Sequence, residues 1–577
     1  MAISEPASDK WRVFDLDLPL RLVRLLDVAS ARHGRAVVLL VAVALLAFLP
    51  GFFNLSPIDR DEARFAQATK QMLESGNYID IRFHTQARHK KPVGIYWLQA
   101  ATVKAGEAVI GPSALTSIWL YRLPSLFAAI GAVLLTYWTA LVFLSRRGTL
   151  FAALMMAGCV LLGVEARLAK TDAVLLFTIL AAFGALARAY VQPPEARKGD
   201  LSLAFIFWTA LAAGVLVKGP VAPLFVGPTI VALAVADRSG GFLRPLKPLI
   251  GLAWCLLLVL PWFVAIYIVT NGAFYQHAVG VDMMGKVAEG AEGHWGPPGT
   301  YFLAAWGTFW PSIIIAAMAA PYVWRNRREA AVRFLLCWLV PSWVIFEIAV
   351  TKLPHYVLPV YPALAILAAL AVERGGLAAA GSRLAGVVWF WPAFGIVVSL
   401  ALGAAYLYFG SGFGLAAWPL LIIAIVILWW AARSFSRVGI EGAFLTALAG
   451  ALVLYLAAWQ TMLPQMRALW ISERLAAVVK QQGCQASKVA SFPYQEPSLV
   501  FLVGTQINYG LPNEAAALLK KGGCALAFID DRFIPAFERH AGLLALKYHA
   551  VATISGFTYN GGRLTAITVF RSDEAAP

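Results

Sequence analysis

The chain has 577 residues, of which 60% are hydrophobic and 12% aromatic, while Asp, Glu, Lys and Arg together make only 14%. Soluble domains carry about 25% charged residues, so a soluble enzyme and a disordered chain are both excluded, and a polytopic α-helical membrane protein remains. The net charge of +16 then reflects Lys and Arg retained on the cytoplasmic side of a bilayer rather than a nucleic-acid partner.

Residues 1–35 carry Lys10, Arg12, Arg21, Arg24, Arg32 and Arg35 around an apolar stripe of Leu18, Leu20, Leu22, Val23, Leu25 and Leu26. This pattern predicts a cytoplasmic amphipathic helix on anionic lipid rather than a cleavable signal. Asp15, Asp17 and Asp27 count against a mitochondrial transit peptide. Apolar runs of roughly the 17–25 residues that cross a bilayer then recur through residues 36–461. They fall near 36–53, 120–144, 149–163, 173–191, 201–217, 221–236, 248–270, 299–323, 334–351, 357–372, 385–409, 415–432 and 440–461, which gives thirteen spans.

The run at 93–111 contains Lys104 and Glu107 and is not counted as a span, so 54–119 becomes one large outer loop. With the N-terminus inside, the short inner loops hold fifteen basic residues: Arg146, Arg147, Arg197, Lys198, Arg238, Arg244, Lys247, Arg325, Arg327, Arg328, Arg333, Arg374, Arg383, Arg433 and Arg437. The short outer loops hold five, Arg167, Lys170, Lys218, Lys286 and Lys352. That asymmetry fixes the orientation. Residues 462–577 have ordinary polarity, a helical opening at 466–480, short apolar strands at 488–491 and 525–529, and Gly-rich turns. They predict a small α/β domain on the outer side. Cys159, Cys255 and Cys337 fall in spans as small apolar residues. Cys484 and Cys524 are either bridged, given an oxidising compartment, or held apart by the strands.

A transporter places ionisable residues within its spans. Here the unusual charges gather at outer helix ends: Asp59, Asp61, Glu62 and Arg64, then Lys90 and Lys91, then Glu165, Arg167, Lys170 and Asp172. Lys218 follows, then His277, Asp282, Lys286, Glu292 and His294, and finally Lys352, His355 and Tyr356. Cations collected at a membrane interface suit a phosphate whose lipid tail stays in the bilayer. Each residue also has a bland reading. Asp61 and Glu62 suit helix N-caps, Asp172 suits a brace to Arg167 or Lys170, and His294 and Tyr356 suit interfacial anchors. Snorkelling accounts for any one lysine.

The run Asp59-Arg60-Asp61-Glu62-Ala63-Arg64 after the first span resembles the acidic motif of lipid-linked glycosyltransferases of the C-type fold, which include the protein mannosyltransferases. Met72 to Tyr78, Lys91-Pro92 with Tyr96-Trp97, and Lys352-Leu353-Pro354-His355-Tyr356 narrow the resemblance to bacterial 4-amino-4-deoxy-L-arabinose (aminoarabinose) lipid A transferases. The resemblance implies thirteen helices and an outer C-terminal domain. It also implies an inner-membrane enzyme that moves aminoarabinose from undecaprenyl phosphate to lipid A phosphates at the periplasmic face, a lipopolysaccharide modification tied to polymyxin resistance. By the same resemblance Asp61 and Asp172 are the acidic residues of the first two outer loops, and Lys91, Lys218, Lys286, His294 and Tyr356 are site positions. Glu62, Arg64 and Lys352 join them as substrate-binding candidates. Two positions depart from the family pattern: Lys90 stands where it has glutamate, and Lys286 where it often has arginine, which loses bidentate phosphate geometry.

Glycosyl transfer passes through an oxocarbenium-like state that a nearby carboxylate stabilises. A phosphate acceptor is already ionised, so Asp61 orients and supplies negative potential; a hydroxyl acceptor needs it as a base. A divalent metal on Asp61, His277, Glu292 and His294 stays open, since zinc accepts carboxylate and imidazole. The reading is therefore a polyprenyl-phosphate-dependent glycosyltransferase with lipid A as acceptor. Its rivals are a protein-glycosylating relative and a lipid flippase.

Overall fold

The computed structural model describes residues 18–192, 201–283, 285, 295–377, 386–412 and 414–575. Each of the thirteen apolar segments falls on helix. By length and composition alone, eight helices among the described residues suffice to cross a membrane. The pair Arg146–Ala157 and Val160–Ala166, bent by 62°, is a ninth only when counted as one broken span, and His33–Phe48, Val221–Asp237 and Ile313–Arg325 are shorter apolar helices. The 39-residue stretch Ala417–Tyr455 would be about 58 Å long if straight, roughly twice the hydrocarbon core. It breaks at Gly439, whose φ of 70° and ψ of −176° are non-helical and suit a residue without a Cβ. Gly450 then packs on Ala424 and Leu428, so the two halves fold back on each other as two elements.

Residues 1–17 lie outside the described residues. The helix Leu18–Ser30 buries Leu26 and Ala29 and packs against Ala417–Tyr455. Arg147 ties it down, bonding Asp27 at 2.7 Å and also Glu441. This helix is therefore seated on the bundle through its apolar stripe, with Arg21 and Arg24 exposed. The segment excluded as a span is the 17-residue helix Gly94–Ile110, which packs on Asp61–Ser75 and Ile118–Ala140.

The C-terminal region carries a five-stranded sheet. Its strands run in the order Asn508–Tyr509, Val489–Phe492, Leu526–Asp530, Arg563–Ser572, Tyr548–Thr558; the first three are parallel and the last two form an antiparallel hairpin. The central strand Leu526–Asp530 is buried throughout, as expected for a strand covered on both faces. Leu526 and Phe528 pack with Leu475, Leu499 and Val569 on one side. Ala527 and Ile529 pack with Leu519, Phe537 and Phe570 on the other, which is the period-two alternation of a strand. Cys484 and Cys524 are bridged, with Cα atoms 5.1 Å apart.

Candidate active site

A cavity of about 1260 Å³ lies between the first loop and the helices that follow. Its lining mixes apolar side chains, Leu175, Val215, Leu224, Phe225, Phe263 and Phe346, with charged and polar ones from five separate segments, among them Asp61, Arg64, Lys90, Lys91, Asp172, Lys218 and Tyr356. Phe346 packs on Tyr356 with ring centres 5.7 Å apart, so apolar and polar walls adjoin. Such a lining fits an amphipathic ligand, an apolar chain carrying an anion.

The run Asp59–Arg64 divides its labour residue by residue. Asp61 opens the helix Asp61–Ser75. It is exposed at the cavity wall, and its carboxylate has no hydrogen-bond or ion-pair partner among the described residues. The N-cap is Arg60, without a side-chain cap bond, so neither Asp61 nor Glu62 caps. Glu62 points the other way. Its oxygens accept from Arg122 Nε at 2.7 Å and Nη2 at 2.8 Å, from the Ala169 amide at 2.9 Å and from the Ile58 amide at 2.9 Å. Arg122 spends its other donors on the carbonyls of Phe52, Leu55 and Ser56. Both side chains are essentially inaccessible, so the structure engages Glu62 with Arg122 rather than presenting it to a ligand. The signal for this pair in the sequence is an arginine five residues into an apolar helix, which asks for a partner.

At the foot of the cavity five ionisable groups meet. Lys218 Nζ bonds Asp172 Oδ1 at 2.5 Å and lies 5.4 Å from the Tyr356 ring centre. Lys170 Nζ sits 3.0 Å from Glu165 Oε1 and 3.4 Å from Asp172 Oδ2. His355 faces both acids, at 3.9 Å from Glu165 and 3.7 Å from Asp172. Burial alone would strip the proton from Lys170. The Glu165 and Asp172 carboxylates outweigh burial and hold its pKa above the ordinary lysine value. Lys91 pairs with Asp282 at 2.8 Å.

Other candidates go elsewhere. Lys352 donates to the carbonyls of Phe346, Glu347 and Ala349 at 2.9, 2.6 and 2.7 Å. That uses all three ammonium protons to close the end of helix Ala330–Ile348, so Lys352 serves as a helix cap in this structure. Arg167 donates to Pro50, Gly163 and Ala47 carbonyls and is no partner of Asp172. His277 is exposed, with its ring 6.4 Å from that of His89. Lys286, Glu292 and His294 lie outside the described residues. Glu165, Asp172 and His355 offer ligand atoms within 4.8 Å of one another. Lys170 and Lys218 already neutralise both carboxylates there, so the donor set suits ammonium groups better than a divalent ion.

A model of the dolichyl-phosphate-mannose-protein mannosyltransferase family matches residues 38–279. The undecaprenyl phosphate-α-4-amino-4-deoxy-L-arabinose arabinosyl transferase of Pectobacterium carotovorum subsp. carotovorum (strain PC1) is 28% identical over 385 residues, 64% of this chain and 65% of that protein. The enzyme of the same description from Pseudomonas aeruginosa (strain UCBPP-PA14) is 27% identical over 343 residues, 56% of this chain and 58% of its own. The matched region is thus 65% or less of these curated relatives' length. The crystal structure of ArnT from Cupriavidus metallidurans bound to undecaprenyl phosphate superposes with a TM-score of 0.71 at 19% identity, over 92% of this chain and 97% of that one. The chain has the ArnT fold. The same protein in its apo state gives 0.70, and the matches agree with the resemblance carried by the motifs.

In this ArnT-fold chain the C-terminal domain sits directly on the first loop. Ser498 N–H donates to Asp59 Oδ1 at 2.7 Å. On the helix behind, Gln67 donates to Thr505 at 2.8 Å and Lys70 to the Phe501 carbonyl at 2.9 Å. Burial, and then the Glu496 carboxylate, push the Asp59 pKa up to about 7 against the Ser498 and Tyr559 hydrogen bonds. Tyr494, Tyr509 and Tyr559 also face it. A raised folded-state pKa means that the folded chain binds the extra proton. This contribution to stability is therefore full below pH 4 or so and is lost as pH rises through about 7. The thermal midpoint of the wild type, relative to Asp59→Asn, is expected to fall across that window. A constant difference from pH 5 to 8 would refute it.

Proposed function

We propose that this chain is a membrane glycosyltransferase that moves 4-amino-4-deoxy-L-arabinose from undecaprenyl phosphate to a phosphate of lipid A. The proposal sets thirteen crossings in the bacterial inner membrane, with the cavity and the C-terminal domain facing the periplasm. The observation that carries it is that the Asp61 carboxylate, without a hydrogen bond among the described residues, shares one cavity with Arg64, Lys91, Lys218 and a set of apolar walls. The apolar walls take the polyprenyl chain, and Lys91, Lys218, Arg64 and Tyr356 receive its phosphate. An oxygen of the acceptor phosphate bonds the anomeric carbon as the bond to the lipid phosphate breaks, and the electron pair leaves with that phosphate. The acceptor is already ionised, so no proton has to be removed. Asp61 stabilises the positive charge developing on the sugar, and the cations stabilise the charge on the departing phosphate.

Lys91 and Lys218 are held by Asp282 and Asp172, which fixes where their ammonium groups sit in the cavity. Each such contact is worth roughly 1.5–3 kcal/mol. Lys91→Ala or Lys218→Ala should therefore weaken undecaprenyl phosphate binding about tenfold or more. Wild-type binding by both variants would remove them from the phosphate site.

The match to a mannosyltransferase family over residues 38–279 supports a second reading, in which the acceptor is a protein hydroxyl and Asp61 is its base. Mass spectrometry of lipid A separates the two, in a polymyxin-sensitive Gram-negative host that makes the donor but lacks its own transferase. A pentosamine increment on expression of this chain is the expected result. Unmodified lipid A with donor present would refute the proposal.

A further inference from the structure

Asp61 is the acidic residue of its motif whose carboxylate makes no hydrogen bond among the described residues, whereas those of Asp59 and Glu62 are engaged, and nothing on its own helix holds it in place. What fixes it is the residue before it. Arg60 has a φ of 70° and a ψ of −109°, a region unfavourable for a non-glycine residue that persists only where the surroundings enforce it. The enforcing contacts come from a turn 500 positions away. Residues 559–562 join the strands Tyr548–Thr558 and Arg563–Ser572, and the tip of this hairpin lies on the first loop. Arg60 Nε donates to Asn560 Oδ1 at 2.7 Å, and Nη2 to the Asn560 carbonyl at 3.4 Å. The Asp59 amide donates to Tyr559 Oη at 2.6 Å. Asn560 is itself fixed, since its Nδ2 donates to Glu496 Oε2 at 2.6 Å.

We propose that the hairpin tip Tyr559–Asn560 is a positioning device for the Asp61 carboxylate, which clamps the two residues before Asp61 and so fixes where the helix Asp61–Ser75 begins. The inference rests on the transferase reading. The C-terminal domain thereby acts on the chemistry at a distance without contributing an atom to the reacting groups. The tip is separable from domain docking, because Gln67, Lys70 and Glu74 are bonded from Phe501 and Thr505, well away from the hairpin. Losing the tip should let the first loop relax while the domain stays in place.

The test is a double-mutant cycle in purified full-length protein, with undecaprenyl phosphate-linked aminoarabinose as donor and lipid A as acceptor. Asn560→Ala should lower kcat roughly tenfold to a hundredfold, the scale of a misplacement of about 1 Å, with undecaprenyl phosphate binding and thermal midpoint near wild type. In the Asp61→Asn background the same change should cost less than about twofold, because residues acting as a unit are not additive. Multiplying effects would instead mean a general structural role and overturn the clamp. Wild-type kcat in Asn560→Ala overturns the clamp and leaves the transferase reading standing. A wild-type chain that transfers nothing overturns both. Where Asn560→Ala yields no folded protein, Tyr559→Phe decides by the same criteria, since it deletes only the hydroxyl that accepts the Asp59 amide.

Discussion

Asp61→Asn is expected to lower sugar transfer by about two or more orders of magnitude, the scale of removing one preorganised electrostatic contact to the transition state, while donor binding survives. The asymmetry follows from geometry. Asp61 makes no hydrogen bond or direct ion pair among the described residues, and Lys170 feels its charge only at longer range, so its carboxylate oxygens face whatever enters the cavity, and the phosphate is held by other groups. Asparagine matches aspartate in shape, and Asp61 makes no cap bond that the change could break, so folding is expected to survive it. Transfer assays beside donor-binding isotherms, at matched expression, check both halves. Wild-type transfer would move the catalytic role to Asp172, although that carboxylate is already engaged by Lys218 and Lys170.

Its neighbour behaves oppositely. Glu62→Ala leaves the Arg122 guanidinium buried with carbonyls alone, and breaking a buried ion pair from one side costs about 3–5 kcal/mol. A large fall in the thermal midpoint, with little folded protein recovered, is the expected result. Glu62→Gln keeps acceptor geometry for Arg122 or Ala169 and should fall between. A Glu62→Ala protein of normal stability that had lost only donor binding would return this residue to the ligand.

These two neighbours show how far residue type and order carry an argument. The helices were legible because bilayer-length apolar runs and the basic bias of alternate loops are properties of local sequence. So was the gathering of Asp61, Lys91, Asp172, Lys218 and Tyr356, since each ends or follows a helix on the same side. What a motif does not encode is which of two adjacent carboxylates faces inward. That depends on Arg122, sixty residues on, and on the carbonyls around it. Lys352 sits in a motif that suggests ligand chemistry, yet three carbonyls left open at a helix end claim it first. The meeting of His355 with Glu165 and Asp172, and the contact of Asn560 with Arg60, depend on long-range packing that periodicity does not report.

The bond between Asp59 and Tyr559 also orders events in time. A chain made from its N-terminus presents the first loop early and the hairpin tip some 500 residues later, after every membrane helix has been synthesised. Until that late strand pair folds, Arg60 lacks the contacts that enforce its conformation, and Asp61 has no fixed place in the cavity. On the clamp proposed above, the site is completed only by the last strands to be made. A chain truncated just before the hairpin turn is then expected to transfer sugar no faster than Asn560→Ala.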